Sequence, residues 1–196
     1  MKTKAFTFIE LLIVVSIIAI LSSILVHGAK ERRADAEFKK VLGYATEIKG
    51  RLGHSLIAEW KMDVVDNNKV IYDSGRLSIT GTGSNITTET NCPENKCIQL
   101  NGEIEFNFPK IKARTICFWG KGSGEIELME MPFTAQDKWQ FFCESISEEY
   151  MQYSIVDGDV VKSEPVSSIF EWENQYSLEG TNVYIDDIMI FEDSIF

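Results

Sequence analysis

The sequence predicts an α+β protein, with a long N-terminal helix followed by an antiparallel β-sandwich. Three observations predict it. Residues 5–26, AFTFIELLIVVSIIAILSSILV, form an apolar run whose only charge is Glu10. Apolar residues then recur at three- and four-residue spacing to about residue 56. Past residue 57 the period drops to two, in short runs broken by turn residues.

The first run reads as one helix. Residues 11–26 carry no charge, and their only polar side chains are three serines. Crossing a bilayer takes roughly 20 apolar residues at about 1.5 Å each. Residues 6–26 therefore read as a transmembrane or filament-core helix behind a basic leader, MKTKA, at 1–5. An ordinary secretory signal cut near SSILVHGAK is the alternative. Glu10 decides against it, because a carboxylate kept inside an apolar helix is costly and marks a functional position with a partner.

Residues 27–57 read as an amphipathic stem. Phe38, Val41, Leu42, Ala45, Ile48, Leu52 and Leu56 fall on one face, and charged residues fill the other. Gly28, Gly43, Gly50 and Gly53 each weaken the helix by roughly 1 kcal/mol relative to Ala. His27 and His54 read as polar surface residues rather than ligands, since neither has a metal-ligand partner one turn away.

Charge divides the chain. Residues 1–60 hold nine Lys/Arg against six Asp/Glu, and the remainder holds ten against twenty-four, which together give the net charge of −11. The acidic head excludes a nucleic-acid interface, which needs a basic surface. It fits a basic foot near anionic lipid and a solvated head. All four cysteines lie in the head. An even count in an exported domain suggests disulfides, and of the three connectivities we favour Cys92 with Cys97 and Cys117 with Cys143.

In the head, VIYDSG, CIQLNGEIEFNF, RTICFWGKG, EIELMEM, WQFFCES, YMQYSIVDGDVV and NVYIDDIMIF read as strands. VDGD and LNGE carry Asp-Gly and Asn-Gly hairpin signals. Many short strands with regular turns and no helical pattern indicate a β-sandwich covering 58–196.

The stretch KAFTFIELLIVVSIIAIL resembles the class III signal of type IV pilins and pseudopilins. The resemblance implies cleavage by a prepilin peptidase between Ala5 and Phe6, N-methylation of Phe6, and Glu10 as the fifth mature residue. Ala5 departs from the family, which nearly always has Gly before the cut; Ala is small enough for the same pocket. The resemblance also gives Glu10 its partner, the α-amino group of Phe6 on a neighbouring subunit. It implies other pilin subunits and an inner-membrane assembly platform as partners. The chain would reside in the inner membrane as a single-pass precursor, then in an extracellular pilus or periplasmic pseudopilus.

The pieces AEWKMD (58–63), IYDSG (71–75), IQLNG (98–102), TICFWGK (115–121), KWQFFCES (138–145), YSIVDG (153–158) and YIDDIMIF (184–191) resemble, in that order, the laminin-G or concanavalin A-like jelly rolls. The resemblance implies a jelly-roll head that binds a glycan, protein or other surface ligand, in some members with calcium. Asp73, Asp157, Asp186 and Asp187 are the candidate calcium ligands; no other cofactor is expected. Trp60, Trp119 and Trp139 fall on family core strands and read as packing. Trp172 and Tyr176 lie outside the matched strands and are the candidate aromatic platform for sugar. Glu125, Glu127 and Glu130 alternate as an acidic solvent face, and the reading is not an enzyme. The expected function is a pilin-like filament subunit displaying a lectin-like head for adhesion. The alternatives are a type II secretion pseudopilin and a surface-anchored glycan-active enzyme.

Overall fold

The structure, a computed structural model, describes residues 7–63, 65–66, 69–70, 76–77, 79–128 and 131–196, with the backbone alone described at 24–28, 31, 65–66, 69–70, 95, 108 and 172–175. It divides into two compact units, Met1–Lys40 and Val41–Phe196. Helix α1, Phe8–Leu52, contributes to both.

In the first unit the helix begins with a reciprocal cap. Thr7 N–H donates to Glu10 Oε2 at 2.8 Å, and Glu10 N–H donates to Thr7 Oγ1 at 3.3 Å. This is the Thr-x-x-Glu capping box, which satisfies two of the amide donors a helix start leaves open. The apolar side chains that follow, from Phe8 to Leu21, are exposed. Among the described residues no helix is long and apolar enough to cross a membrane. The expected transmembrane span of 6–26 is not supported among these residues; Phe6 and the side chains of 24–26 lie outside the described ones. Farther along, Arg33 pairs with Glu37 at 3.0 Å and Lys39 with Asp35 at 3.6 Å on the exposed face. Such pairs contribute a few tenths of a kcal/mol each.

The second unit takes the end of the helix and all the strands. A 3₁₀ turn at Gly53–Ser55 ends the helix and leads into β1, Leu56–Trp60. Next come β2 (Val65–Asp66), β3 (Lys69–Val70), β4 (Gly81–Gly83), β5 (Ile86–Cys92) and β6 (Asn95–Ala113). Then follow β7 (Thr115–Gly122), β8 (Glu125–Leu128), β9 (Met131–Thr134), β10 (Gln140–Ile146), β11 (Met151–Val156), β12 (Asp159–Pro165) and β13 (Phe170–Phe191). All pairings are antiparallel.

β6 and β13 are long enough to serve both layers of the sandwich. In one layer the order is β12, β11, β10, β7 and the C-terminal part of β13, which also pairs with β1 and the start of β6. In the other, β9, β8, the N-terminal part of β13, the end of β6, β4, β3 and β2 lie side by side. The change of layer coincides with a register shift between Gly180 and Val183, with Gly102 opposite Gly180.

This corrects the hairpin expected at LNGE. Asn101 and Gly102 lie inside β6, and a Cβ at Gly102 would stand 2.8 Å from the Ser84 carbonyl oxygen. The glycine answers a close backbone approach at the bend, not a turn. At VDGD the expectation is met: Asp157 and Gly158 both take positive φ, 55° and 92°, as a two-residue type I′ hairpin requires.

Alternation then assigns the core. Ile116, Phe118, Phe142, Ile188 and Ile190 point between the layers, where Trp60 and Phe106 meet at 4.8 Å. Trp60 Nε1 donates to the Ile79 carbonyl at 2.9 Å. Their sequence neighbours Cys117, Trp119, Phe141, Cys143, Met189 and Phe191 are equally buried on the outer face of the first layer. Val41, Ala45, Ile48 and Leu52, from the stripe read from sequence, are the buried residues of the helix end, while Phe38, Leu42 and Leu56 are only partly buried. Tyr44 reaches the same outer face, edge-on to Phe141 at 6.1 Å. Each fully buried apolar side chain contributes about 1.5–3 kcal/mol, so this stripe fixes the helix end in the unit.

Candidate functional sites

The processing residues Ala5 and Phe6 lie outside the described residues. Glu10 is exposed, and besides the Thr7 N–H its Oε2 accepts the Thr7 hydroxyl at 2.8 Å. The carboxylate is thus held by its own chain, on a surface of exposed Phe, Ile, Leu and Val.

Of the candidate calcium ligands, Asp73 lies outside the described residues. Asp157 stands apart on the β11–β12 hairpin, where its Oδ1 accepts the Phe141 N–H at 2.9 Å, and Lys138 is 3.9 Å away. Asp186 and Asp187 are fully buried and come together with Glu59 and Glu94. At their centre is a cation that sequence reasoning passed over. The Lys49 Nζ lies 2.6 Å from Asp187 Oδ2, 3.0 Å from Glu94 Oε2 and 3.2 Å from Glu59 Oε1. Among the described residues no group of three or more His, Cys, Asp or Glu could hold a metal ion. The Lys49 ammonium occupies the space between Glu59, Glu94 and Asp187.

Burial opposes ionisation in this nest. It lowers the Lys49 ammonium, but Asp187 and then Glu94 outweigh it and hold the group above the ordinary lysine range. Burial pushes Asp187 up to about 7 against the pull of Lys49. Asp186 rises to about 8: burial dominates, the Glu94 N–H at 3.1 Å pulls the other way, and the Asp187 charge adds to the rise. Its Oδ1 has no hydrogen-bond partner among the described residues.

Trp172 and Tyr176, expected outside the matched strands as a platform for sugar, lie in β13; the Trp172 side chain is not described, and Tyr176 packs, partly buried, against the core. Trp139, read from sequence as packing, is only half-buried. With Tyr184 it forms two walls of a cavity of about 170 Å³. The rings stand 6.5 Å apart at 66°, and the Lys121 ammonium sits 5.8 Å over the Tyr184 ring. Glu89, Thr90 and Asn91 close the opposite wall. Asn91 takes the left-handed φ of 77° at a β5 bulge between Thr90 and Cys92, which a disulfide ties to Cys97. The cup is assembled by the outward positions of β7 and β13 beside Trp139, just beyond the buried Trp119 and Phe141, a placement invisible without strand order.

The second disulfide joins Cys117 to Cys143, directly opposite each other on β7 and β10. Glu125 and Glu127 are exposed while Ile126 and Leu128 are buried, the acidic face read from the sequence. With Glu179 they line a groove of about 310 Å³. Glu130 lies outside the described residues.

The family described as "Prokaryotic N-terminal methylation motif" matches residues 1–26. The chain therefore carries a prepilin N-terminus. A search among curated proteins finds no match. Among solved structures, the receptor binding domain of botulinum neurotoxin D matches with a TM-score of 0.55 and 11% identity, over 74% of this chain and 51% of that one. The serotype D ligand binding domain in complex with N-acetylneuraminic acid gives 0.56 and 13%, over 75% and 50%. The binding domain of Paraclostridial Mosquitocidal Protein 1 gives 0.57 and 12%, over 74% and 50%. The chain spans about half the length of each, and at these identities the likeness is one of fold alone: an antiparallel jelly-roll β-sandwich.

Proposed function

We propose that the protein is a type IV pilin-like subunit that polymerises through its N-terminal helix and displays the β-sandwich for adhesion. The prepilin motif at 1–26, with Glu10 in place, carries this reading. Prepilin peptidase would cut after Ala5 and expose Phe6 for methylation. Before assembly, residues 6–26, at about 1.5 Å each, would hold the precursor in the inner membrane. Afterwards the exposed apolar side chains from Phe8 to Leu21 would be buried against other subunits, with the assembly platform driving the transfer.

Immunogold labelling of intact cells with antibody to 58–196 tests the reading. Gold along filaments or at their tips supports it. Protein retained in the envelope with no labelled filament favours a pseudopilus of type II secretion.

For the head, the cup walled by Trp139 and Tyr184 is the surface that suits a sugar ring. Aromatic faces receive the apolar face of a pyranose, and Lys121, Glu89 and Thr90 supply polar contacts at its edge. Trp139→Ala is expected to weaken glycan binding about tenfold or more on a glycan array, a loss of roughly 1.4 kcal/mol or more. Unchanged binding in that variant removes the cup as the binding site. Hydrolysis of a polysaccharide that Glu125→Gln abolishes would instead revive the enzyme reading.

A further inference from the structure

We propose that Lys49 and Asp187 condense into an intramolecular isopeptide bond that ties the last turn of α1 to β13. The reacting groups are adjacent, with the Lys49 Nζ 2.6 Å from Asp187 Oδ2. Asp187 is fully buried, and its backbone is held in the left-handed region, φ 48°, at a bulge between Asp186 and Met189. A non-glycine residue kept in that conformation costs energy, and such residues gather where chemistry or binding needs a fixed geometry. The amine and the carboxyl are therefore presented to each other on rigid elements, with the carboxyl away from bulk water. Well-oriented pairs of this kind reach effective molarities on the order of 10⁵ M or more.

A third carboxylate completes the set. Glu59 Oε1 is 3.2 Å from the same Nζ, and its side chain is only 10% exposed. In the step proposed, Glu59 takes one proton from the Lys49 ammonium. The neutral Nζ attacks Asp187 Cγ, and a second Nζ proton passes to the departing Asp187 oxygen. Glu59 returns its proton to that oxygen, the Cγ–O bond breaks, and water leaves. Ammonium plus carboxylate give an amide N–H plus water, with no oxidant or activating group required. The Lys49 side chain, 28% exposed, leaves a route out for the water.

An ion pair alone and a covalent bond differ in mass. The test is the intact mass of the full chain, purified from detergent, corrected for its disulfides and leader processing. The expected result is a deficit of one water, with a proteolytic fragment in which the segments around 49 and 187 stay joined after disulfide reduction. Lys49→Arg keeps the cation and the ion pair but supplies no amine of this reactivity, so it should restore the full sequence mass, as should Asp187→Ala. Glu59→Gln should leave most of the chain uncondensed. A wild-type chain at full mass, or a water deficit that persists in Lys49→Arg, overturns the proposal. The inference is independent of filament assembly and of sugar binding.

Discussion

Glu10→Ala is expected to be processed and yet to leave cells almost bare of filaments. In a helical assembly the carboxylate would neutralise the Phe6 α-amino group of a neighbouring subunit. Removing one partner of a buried pair leaves an uncompensated charge, costing about 3–5 kcal/mol. Each 1.4 kcal/mol is tenfold in an equilibrium, so a single contact would weaken about 100-fold or more. The same carboxylate also closes the Thr7 capping box, worth about 0.5–2 kcal/mol. Glu10→Gln separates the two roles, because glutamine can still cap but carries no charge. Filament yield by electron microscopy should fall in both variants. Normal filaments with glutamine would reduce Glu10 to a helix cap, and normal filaments with alanine would remove it from assembly altogether.

The head should gain stability as pH falls from 8 to 5, the reverse of ordinary acid unfolding. The Asp186 carboxyl has its pKa raised by burial from 3.8 to about 8 in the folded protein. Between those values the folded state binds a proton that the unfolded chain has released. Stability therefore falls as pH rises through this window. One pKa unit is about 1.4 kcal/mol, so the cost at pH 8 is on the order of several kcal/mol. Asp186→Asn keeps an oxygen for the Glu94 N–H and carries no charge at any pH. It should flatten this part of the profile and raise the melting temperature at pH 8; recovering even about 2 kcal/mol corresponds to roughly 4–8 °C for a unit of this size. Thermal melts of the full chain in a chelating buffer at pH 5, 6, 7 and 8 read the effect directly. A wild-type melting temperature that climbs toward pH 8, or an asparagine variant less stable there, would reject this account.

What sequence could reach was whatever repeats locally. The helix face through Val41, Ala45, Ile48 and Leu52 follows from a period of 3.6, and the type I′ turn at Asp157 and Gly158 from two adjacent residues. The paired alternation of β7 and β10 was equally visible, and the structure joins their cysteines. What escaped was set by strand order. Gly102 looked like a turn because its close approach to Ser84 comes from outside β6. Trp139 looked like core because it opens a strand rich in core residues, and its partners Lys121 and Tyr184 lie far away in the chain. Lys49 was one more charge on a charged helix until Glu59, Glu94 and Asp187 closed around it.

The reach of β13 bears on how the head comes to exist at all. This one segment pairs with β1, β6, β7 and β8, and through them it supplies partners to both layers. Until it arrives, β1 lacks its described neighbour, β8 has only β9, and β6 lacks most of its own pairing. Contacts so distant along the chain form slowly, because loop closure is spent before any pairing is gained. The sandwich is then the last thing the polypeptide makes, after residue 191 has been delivered to the compartment where it folds. A chain stalled before residue 170 would be an acidic, open polymer with four unprotected thiols. Completion of the final strand thus decides whether the two layers close at all.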